Sequence, residues 1–254
     1  MKITVKGLVI ASRDVNENDR YITVVTEELG VLNFLAKGAR KNTSKSNSSV
    51  QLFAYSDFCL NENRGRYFLE SAKPLNVFYG IRSGVDKLAL AAYIAELTKY
   101  SVMFMQPEKE IMRLLLNTFY YLSEGSFSCS QLKAVFELRF ACCSGYMPML
   151  LGCRECLKYE DSEMLFVYDG GCLLCREHTD QTYLEGDDPQ AIAITPSVLH
   201  VVRTVCLSEL KQVFSFKVSG KTLDTVGRLS EKYLLTQLNC RFDTLDFYDQ
   251  VKDI

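Results

Sequence analysis

Histidine is almost missing from this 254-residue chain, occurring only at positions 178 and 200. That scarcity removes the commonest general base from consideration. His200 falls on an apolar helical face, where a packed imidazole is the usual occupant. The sequence also lacks H-E-x-x-H, G-x-S-x-G and G-x-G-x-x-G, and with them the local frames of zinc proteases, α/β-hydrolases and dinucleotide-binding folds. "SGKT" at Ser219–Thr222 looks like the end of a phosphate-binding loop, but the first glycine of G-x-x-x-x-G-K-[ST] would fall at Ser215. Without it the phosphate cradle is incomplete, and a turn in which Thr222 caps the following helix is the better reading. The chain is therefore expected not to be an enzyme.

Long apolar runs are absent as well. None approaches the roughly 20 residues needed to span a bilayer, and the opening "MKITVKGLVIASRDVNENDR" alternates polar and apolar positions and then meets charge. No signal-peptide core fits there, so the protein is expected in the cytoplasm, away from membranes. Ten cysteines in such a compartment point to metal binding or burial in preference to disulfides. Six of them, Cys59, Cys129, Cys142, Cys143, Cys206 and Cys240, stand in no ligand spacing and read as small buried side chains.

What is present is an ordinary globular composition, 48% hydrophobic and 24% charged, long enough for two domains. The net charge of −2 hides an asymmetry: residues 1–80 carry 11 Lys and Arg against 8 Asp and Glu, leaving 18 against 23 for the rest. A basic first third joined to an acidic remainder directs attention to nucleic acid.

The two parts differ in pattern. "KITVKGLVI", "RYITVVTEE", "VLNFLAK", "VQLFAYSDFCLN" and "RYFLESA" are β-branched or aromatic runs separated by turn compositions. Five short strands suit a closed barrel, which leaves no exposed edges, and the count favours an OB-type barrel over an SH3-like one. After Gly84 the spacing becomes helical in "VDKLALAAYIAELTKYSVMFM", "EKEIMRLLLNTFYYLSEG" and "QLKAVFELRFACCSGY", the latter two stopping at Gly125 and Gly145. Helix restarts at Thr195 and Pro196, suited to N-cap and first-turn positions, and "TLDTVGRLSEKYLLTQL" ends near Asn239. The expected class is thus a multidomain β + α protein: an OB-type domain over 1–80, then a helical domain over 81–254 with a zinc-binding insertion at about 146–180.

That insertion, "GCRECLKYEDSEMLFVYDGGCLLCRE", holds Cys153 and Cys156, then Cys172 and Cys175, two Cys-x-x-Cys pairs 15 residues apart. Such a turn sets two thiolates about one metal's width apart, and a second turn brought over by a hairpin completes a tetrahedron. "MLFVY" supplies a strand, and Gly170 and Gly171 permit the turn before Cys172. One structural Zn2+ per chain is expected on those four cysteines, since four protein ligands leave no open position for substrate. His178, three residues after Cys175, is the alternative fourth ligand.

The basic loop "KGARKNTSKSNSS" places Lys37, Arg40, Lys41 and Lys45 close together without an acid, and Arg13, Arg20, Arg64 and Arg66 sit on or beside other barrel loops. A charge run is commonly just solvated, but on an OB barrel the loop-lined face is where oligonucleotides bind.

"KGARKNTSK", "GYMPMLLGCRECLK", "DGGCLLC" and the closing "RFDTLDFY" together resemble the RecO family of bacterial DNA repair and recombination mediators over essentially the whole length. The resemblance implies an OB domain followed by a helical domain with a zinc module. It implies binding of single-stranded and double-stranded DNA, annealing of complementary strands, engagement of the single-strand binding protein SSB through its C-terminal tail, and, with RecR, loading of RecA in the cytoplasm at the nucleoid. Carried over by position, the four cysteines match the metal ligands and Lys37, Arg40 and Lys41 the basic barrel motif. The chain departs from a zinc-ribbon knuckle at Leu157, where a glycine would follow the second cysteine. The competing class is a zinc-stabilised interaction adaptor that does not touch nucleic acid.

Overall fold

A computed structural model describes residues 1–40, 47–102 and 108–252. The five runs of the first region become β1 (Lys2–Asp14), β2 (Arg20–Thr26), β3 (Gly30–Ala36), β4 (Tyr55–Asn63) and β5 (Arg66–Asn76). They close into a barrel in the order β1-β2-β3-β5-β4. All pairs are antiparallel except β3 with β5, a short parallel junction at Phe34/Tyr67 and Leu35/Phe68. This is the OB-type arrangement the strand count predicts, and it leaves each strand with two neighbours. Because side chains alternate along a strand, Ile22, Val24, Leu32, Phe34, Phe58 and Leu60 fill the interior. Their neighbours Tyr21, Asn33, Leu35 and Phe68 face outward.

The helices are α1 (Val85–Ser101), α2 (Lys109–Glu124), α3 (Cys129–Cys143), α4 (Pro196–Leu207), α5 (Gly220–Leu238) and α6 (Asp243–Val251). Their punctuation follows the sequence closely. Gly125 ends α2 in the left-handed conformation, Thr195 accepts from Val198 N–H to cap α4, and Asn239 closes α5 at φ 48°. The "SGKT" turn differs from expectation in its cap: Ser219, not Thr222, is the N-cap of α5, and its hydroxyl accepts from the Thr222 N–H. The cap must precede the first turn, and Thr222 already lies inside it.

Helix α6 has no counterpart in the periodicity reading. It is only nine residues long, and it is held by tertiary contacts: Phe242 packs edge-on against Tyr93 and Tyr100 of α1, and Thr244 donates to Glu96 at 2.5 Å.

The chain divides into two compact units. One contains the barrel, α1, α2 and α6, and the other runs from Phe127 to Arg241. Within the second unit the cysteine insertion is a four-stranded sheet in the order β6-β8-β7-β9, from β6 (Met149–Cys153), β7 (Met164–Val167), β8 (Cys172–Cys175) and β9 (Ala191–Ile194). Gly171 precedes β8 at φ 54°, and a Cβ there would lie 2.7 Å from the Tyr233 hydroxyl, so this turn requires glycine on both counts. In the same unit a buried cluster joins α3 to α5: Lys133 pairs with Glu137 at 2.8 Å and Glu231 at 2.6 Å, while Ser230 donates to Glu137 at 2.6 Å.

Candidate nucleic-acid interface and metal centre

The barrel register assembles an outward row that sequence spacing does not reveal. Arg13 of β1 stands opposite Tyr21 of β2, Tyr21 opposite Leu35 of β3, and Leu35 opposite Phe68 of β5. The row floors a groove of about 570 Å3 that is also lined by Arg66, Tyr67 and Asn33. Cations lie directly on its rings: the Arg13 guanidinium is 5.0 Å from the Tyr21 ring centre and Lys37 Nζ is 5.4 Å from that of Phe68. Asn33 is held in place by a hydrogen bond from the Thr23 hydroxyl, 2.7 Å. Half-buried aromatic rings lining a groove, with basic groups along them, suit unpaired bases and their phosphates.

The predicted basic residues separate by environment. Arg13 and Arg66 line the groove, Lys37 reaches it over Phe68, and none of the three forms an ion pair among the described residues. Arg20 and Arg40 instead converge on Asp14, at 3.2 and 3.3 Å, and Arg40 also donates to the Asn16 carbonyl at 2.8 Å. These two fix the β1–β2 connection, and part of their charge is answered by Asp14. Arg64 is exposed in the β4–β5 turn at φ 52°. Lys41 and Lys45 lie outside the described residues. The sequence reading missed Tyr21, Leu35, Phe68 and Asn33. The only local signal was the aromatic alternation of the strands, which fits core and surface alike.

In the second unit, Cys153, Cys156, Cys175 and His178 come together, with one donor atom from each lying within 4.8 Å of all the others. Cys156 Sγ is 3.6 Å from Cys175 Sγ, and His178 Nδ1 is 3.2 Å from Cys175 Sγ and 3.8 Å from Cys153 Sγ. Tetrahedral bonds of about 2.0–2.3 Å to nitrogen and sulfur have edges of roughly 3.5–3.8 Å, so these residues fit a metal of that geometry.

Cys172, expected among the ligands, is outside this group. It is buried, with Arg154 Nη1 3.6 Å from its sulfur. The physical reason is that Cys172 and Cys175 lie at opposite ends of the extended strand β8. An odd spacing on a strand sends side chains to opposite faces, so Cys-x-x-Cys grips one metal only when it is a turn.

The first pair does form a turn: the Leu157 N–H donates to the Cys153 carbonyl at 2.8 Å, and the Cys153 N–H to the Lys158 carbonyl at 2.9 Å. Gly152 lets the turn fold back, since a Cβ there would sit 2.6 Å from the Leu157 carbonyl oxygen. Leu157 itself adopts φ 62°, taking the left-handed position where a glycine was wanting.

The thiols are tuned unevenly. Burial pushes Cys153 up, but backbone N–H groups of Cys175, Cys156 and Glu155 outweigh it and hold the thiol below its ordinary value. Burial likewise opposes ionisation of Cys175, and donors from Glu177 and His178 together with the neighbouring thiols bring it down. At Cys156 the Lys158 N–H favours the thiolate, yet desolvation and the neighbouring sulfurs prevail and push it up. Sulfurs this close ionise together only beside a cation, so metal binding and deprotonation are one event.

Comparison with known proteins divides the chain at the end of the barrel, and not at the boundary of the two compact units. The family model described as "Recombination protein O N terminal" matches residues 1–78, and "Recombination protein O C terminal" matches residues 82–245. The chain is 30% identical to a protein of Acetivibrio thermocellus over 95% of its own length and 94% of the relative's. It is 25% identical to one of Alkaliphilus metalliredigens over 99% and 100%, and 25% identical to one of Caldicellulosiruptor saccharolyticus over 98% and 99%. Each of these is named "DNA repair protein RecO". No helix among the described residues is long and apolar enough to cross a membrane.

Proposed function

The chain belongs to the recombination protein O (RecO) family, and from that premise we propose that it is a non-catalytic DNA repair and recombination mediator acting in the cytoplasm at the nucleoid. It binds single-stranded DNA along the barrel groove, accepts a duplex, anneals complementary strands, and with RecR and SSB helps load RecA. The observation that carries this reading is the cross-strand row Arg13, Tyr21, Leu35, Phe68 with Lys37 over its far end.

Bases stack on Tyr21 and Phe68, which every base can do, so recognition is tolerant of sequence. Arg13, Lys37 and Arg66 neutralise phosphates and release counterions, which lowers the repulsion between two strands brought to one surface. Arg20 and Arg40 hold the β1–β2 connection and contribute less charge. The cysteine module carries one structural zinc that ties the turn after β6 to the end of β8. With four protein donors it offers no open position for substrate.

A salt series of single-stranded DNA binding tests the reading. Three neutralised phosphates give a log–log slope near −2, from about −0.7 per contact. The Arg13→Ala/Lys37→Ala/Arg66→Ala variant should lose most of that slope and keep its fold. An unchanged slope would return the groove to mere solvated surface. Failure of the parent to bind DNA at all would favour the interaction adaptor, whose surface would be the exposed Met149, Leu151 and Tyr159 beside the metal module.

A further inference from the structure

The cysteine module contains one sulfur too many for a four-ligand site once His178 is included, and the fold separates the candidates. We propose that the metal is bound by Cys153, Cys156, Cys175 and His178 through Nδ1, a three-thiolate, one-imidazole site, and that Cys172 is a buried outer partner of Arg154. The inference rests on the zinc reading above and goes beyond the two-pair expectation, because it assigns the second knuckle to Cys175-x-x-His178.

Three independent features carry it. Cys175 ends β8, and the one-turn 3-10 helix Arg176–His178 follows at once. This turn, not the strand, supplies the return that brings two donors to one side. His178 Nδ1 is within 3.2 Å of Cys175 Sγ and 3.8 Å of Cys153 Sγ, so imidazole already occupies the fourth corner. Cys172 is on the opposite face of the strand, and Arg154, from inside the first knuckle, reaches its sulfur at 3.6 Å. To become a ligand Cys172 would have to give up its place in the β7–β8 ladder, where it faces Val167. Arg154 thereby links knuckle to strand from outside the metal shell, the kind of outer contact that orients ligands. A site of three thiolates and a neutral imidazole carries one negative charge less than a four-thiolate site.

X-ray absorption of the full-length protein purified with its zinc reads the ligand set directly. The expected shell is three sulfurs near 2.3 Å and one nitrogen near 2.0–2.1 Å, the usual zinc distances. Cys172→Ser should keep one zinc per chain and the same shell. His178→Ala should lose the nitrogen and, in competition with a chelator, bind zinc more weakly by more than the roughly tenfold to hundredfold in affinity that outer-partner changes cause. His178→Cys should keep one zinc with an all-sulfur shell, which guards against misfolding as the explanation of the alanine result. Four sulfurs in the parent, or zinc loss in Cys172→Ser alone, would overturn the assignment and leave the zinc reading standing. Parent protein purified without zinc would overturn both.

Discussion

Cations do opposite work in the two units. In the barrel unit the exposed Arg13 and Lys37 lie over half-buried rings, with solvent on their far side. In the second unit three cations are turned into the fold. Lys133 is held between Glu137 and Glu231, and Arg139 donates to the carbonyls of Cys206 and Ser208 at the end of α4, at 2.9 and 3.1 Å. Arg203 donates to Leu150 at 2.9 Å and Tyr159 at 2.6 Å while stacking on the Tyr159 ring at 3.7 Å. A cation that is already satisfied inside the fold contributes stability and leaves no charge for a polyanion. Counting basic residues therefore says little about nucleic-acid binding until their partners are known.

The sharpest way to test that contrast is to remove one buried cation. Lys133→Met should destabilise the second unit by about 3 kcal/mol, because it strands the fully buried Glu137 carboxylate. Burial already raises the Glu137 pKa, and loss of Lys133 should raise it further. A carboxyl raised in the folded state binds its proton more tightly there than in the unfolded chain. The variant should thus be least handicapped below the unfolded value of about 4.3, losing stability as pH rises through the folded pKa. Urea unfolding at several pH values would follow this, while the salt slope for single-stranded DNA should be untouched.

A smaller effect is expected on the barrel side, where Phe68→Ala should weaken single-stranded DNA binding by about 1–3 kcal/mol at fixed salt with the slope preserved. Fluorescence anisotropy at two salt concentrations separates this from charge loss. A variant that changes the slope instead would mean that Phe68 acts through Lys37 and not through bases.

The smallest effect falls at Leu157. Its left-handed backbone costs roughly 1–2 kcal/mol, part of which a glycine returns to the unfolded state as entropy. Leu157→Gly should stabilise the zinc-loaded protein by less than about 1 kcal/mol, seen as a small rise in thermal midpoint. A clear loss would show that the exposed leucine side chain has a docking role of its own.

Much of the fold was legible because its signals are local. The five strands, the stop at Gly125, the Thr195-Pro196 start and the strand at Met164–Val167 each depend on a few neighbouring residues and are found near where the pattern puts them, except that the fourth run, read from Val50, is strand only from Tyr55. Helix α6 was not legible, since its nine residues gain their order from Tyr93, Tyr100 and Glu96, more than 140 positions away. Neither was the sheet around the cysteines, where β6 and β9 are too short to show a period.

The candidate sites divide the same way. Sequence alone determined that the chain has a basic barrel loop and a cysteine-rich module, because composition and spacing are properties of the chain itself. Only the tertiary structure decided which groups face each other. Register between β1, β2, β3 and β5 turned four distant residues into one row, and Asp14 drew Arg20 and Arg40 away from the groove. Strand alternation then sent Cys172 to one face of β8 and Cys175 to the other. A Cys-x-x-Cys spelling is the same in a turn and in a strand. The direction of its sulfurs is set by backbone conformation, which at β8 is imposed by pairing with β7.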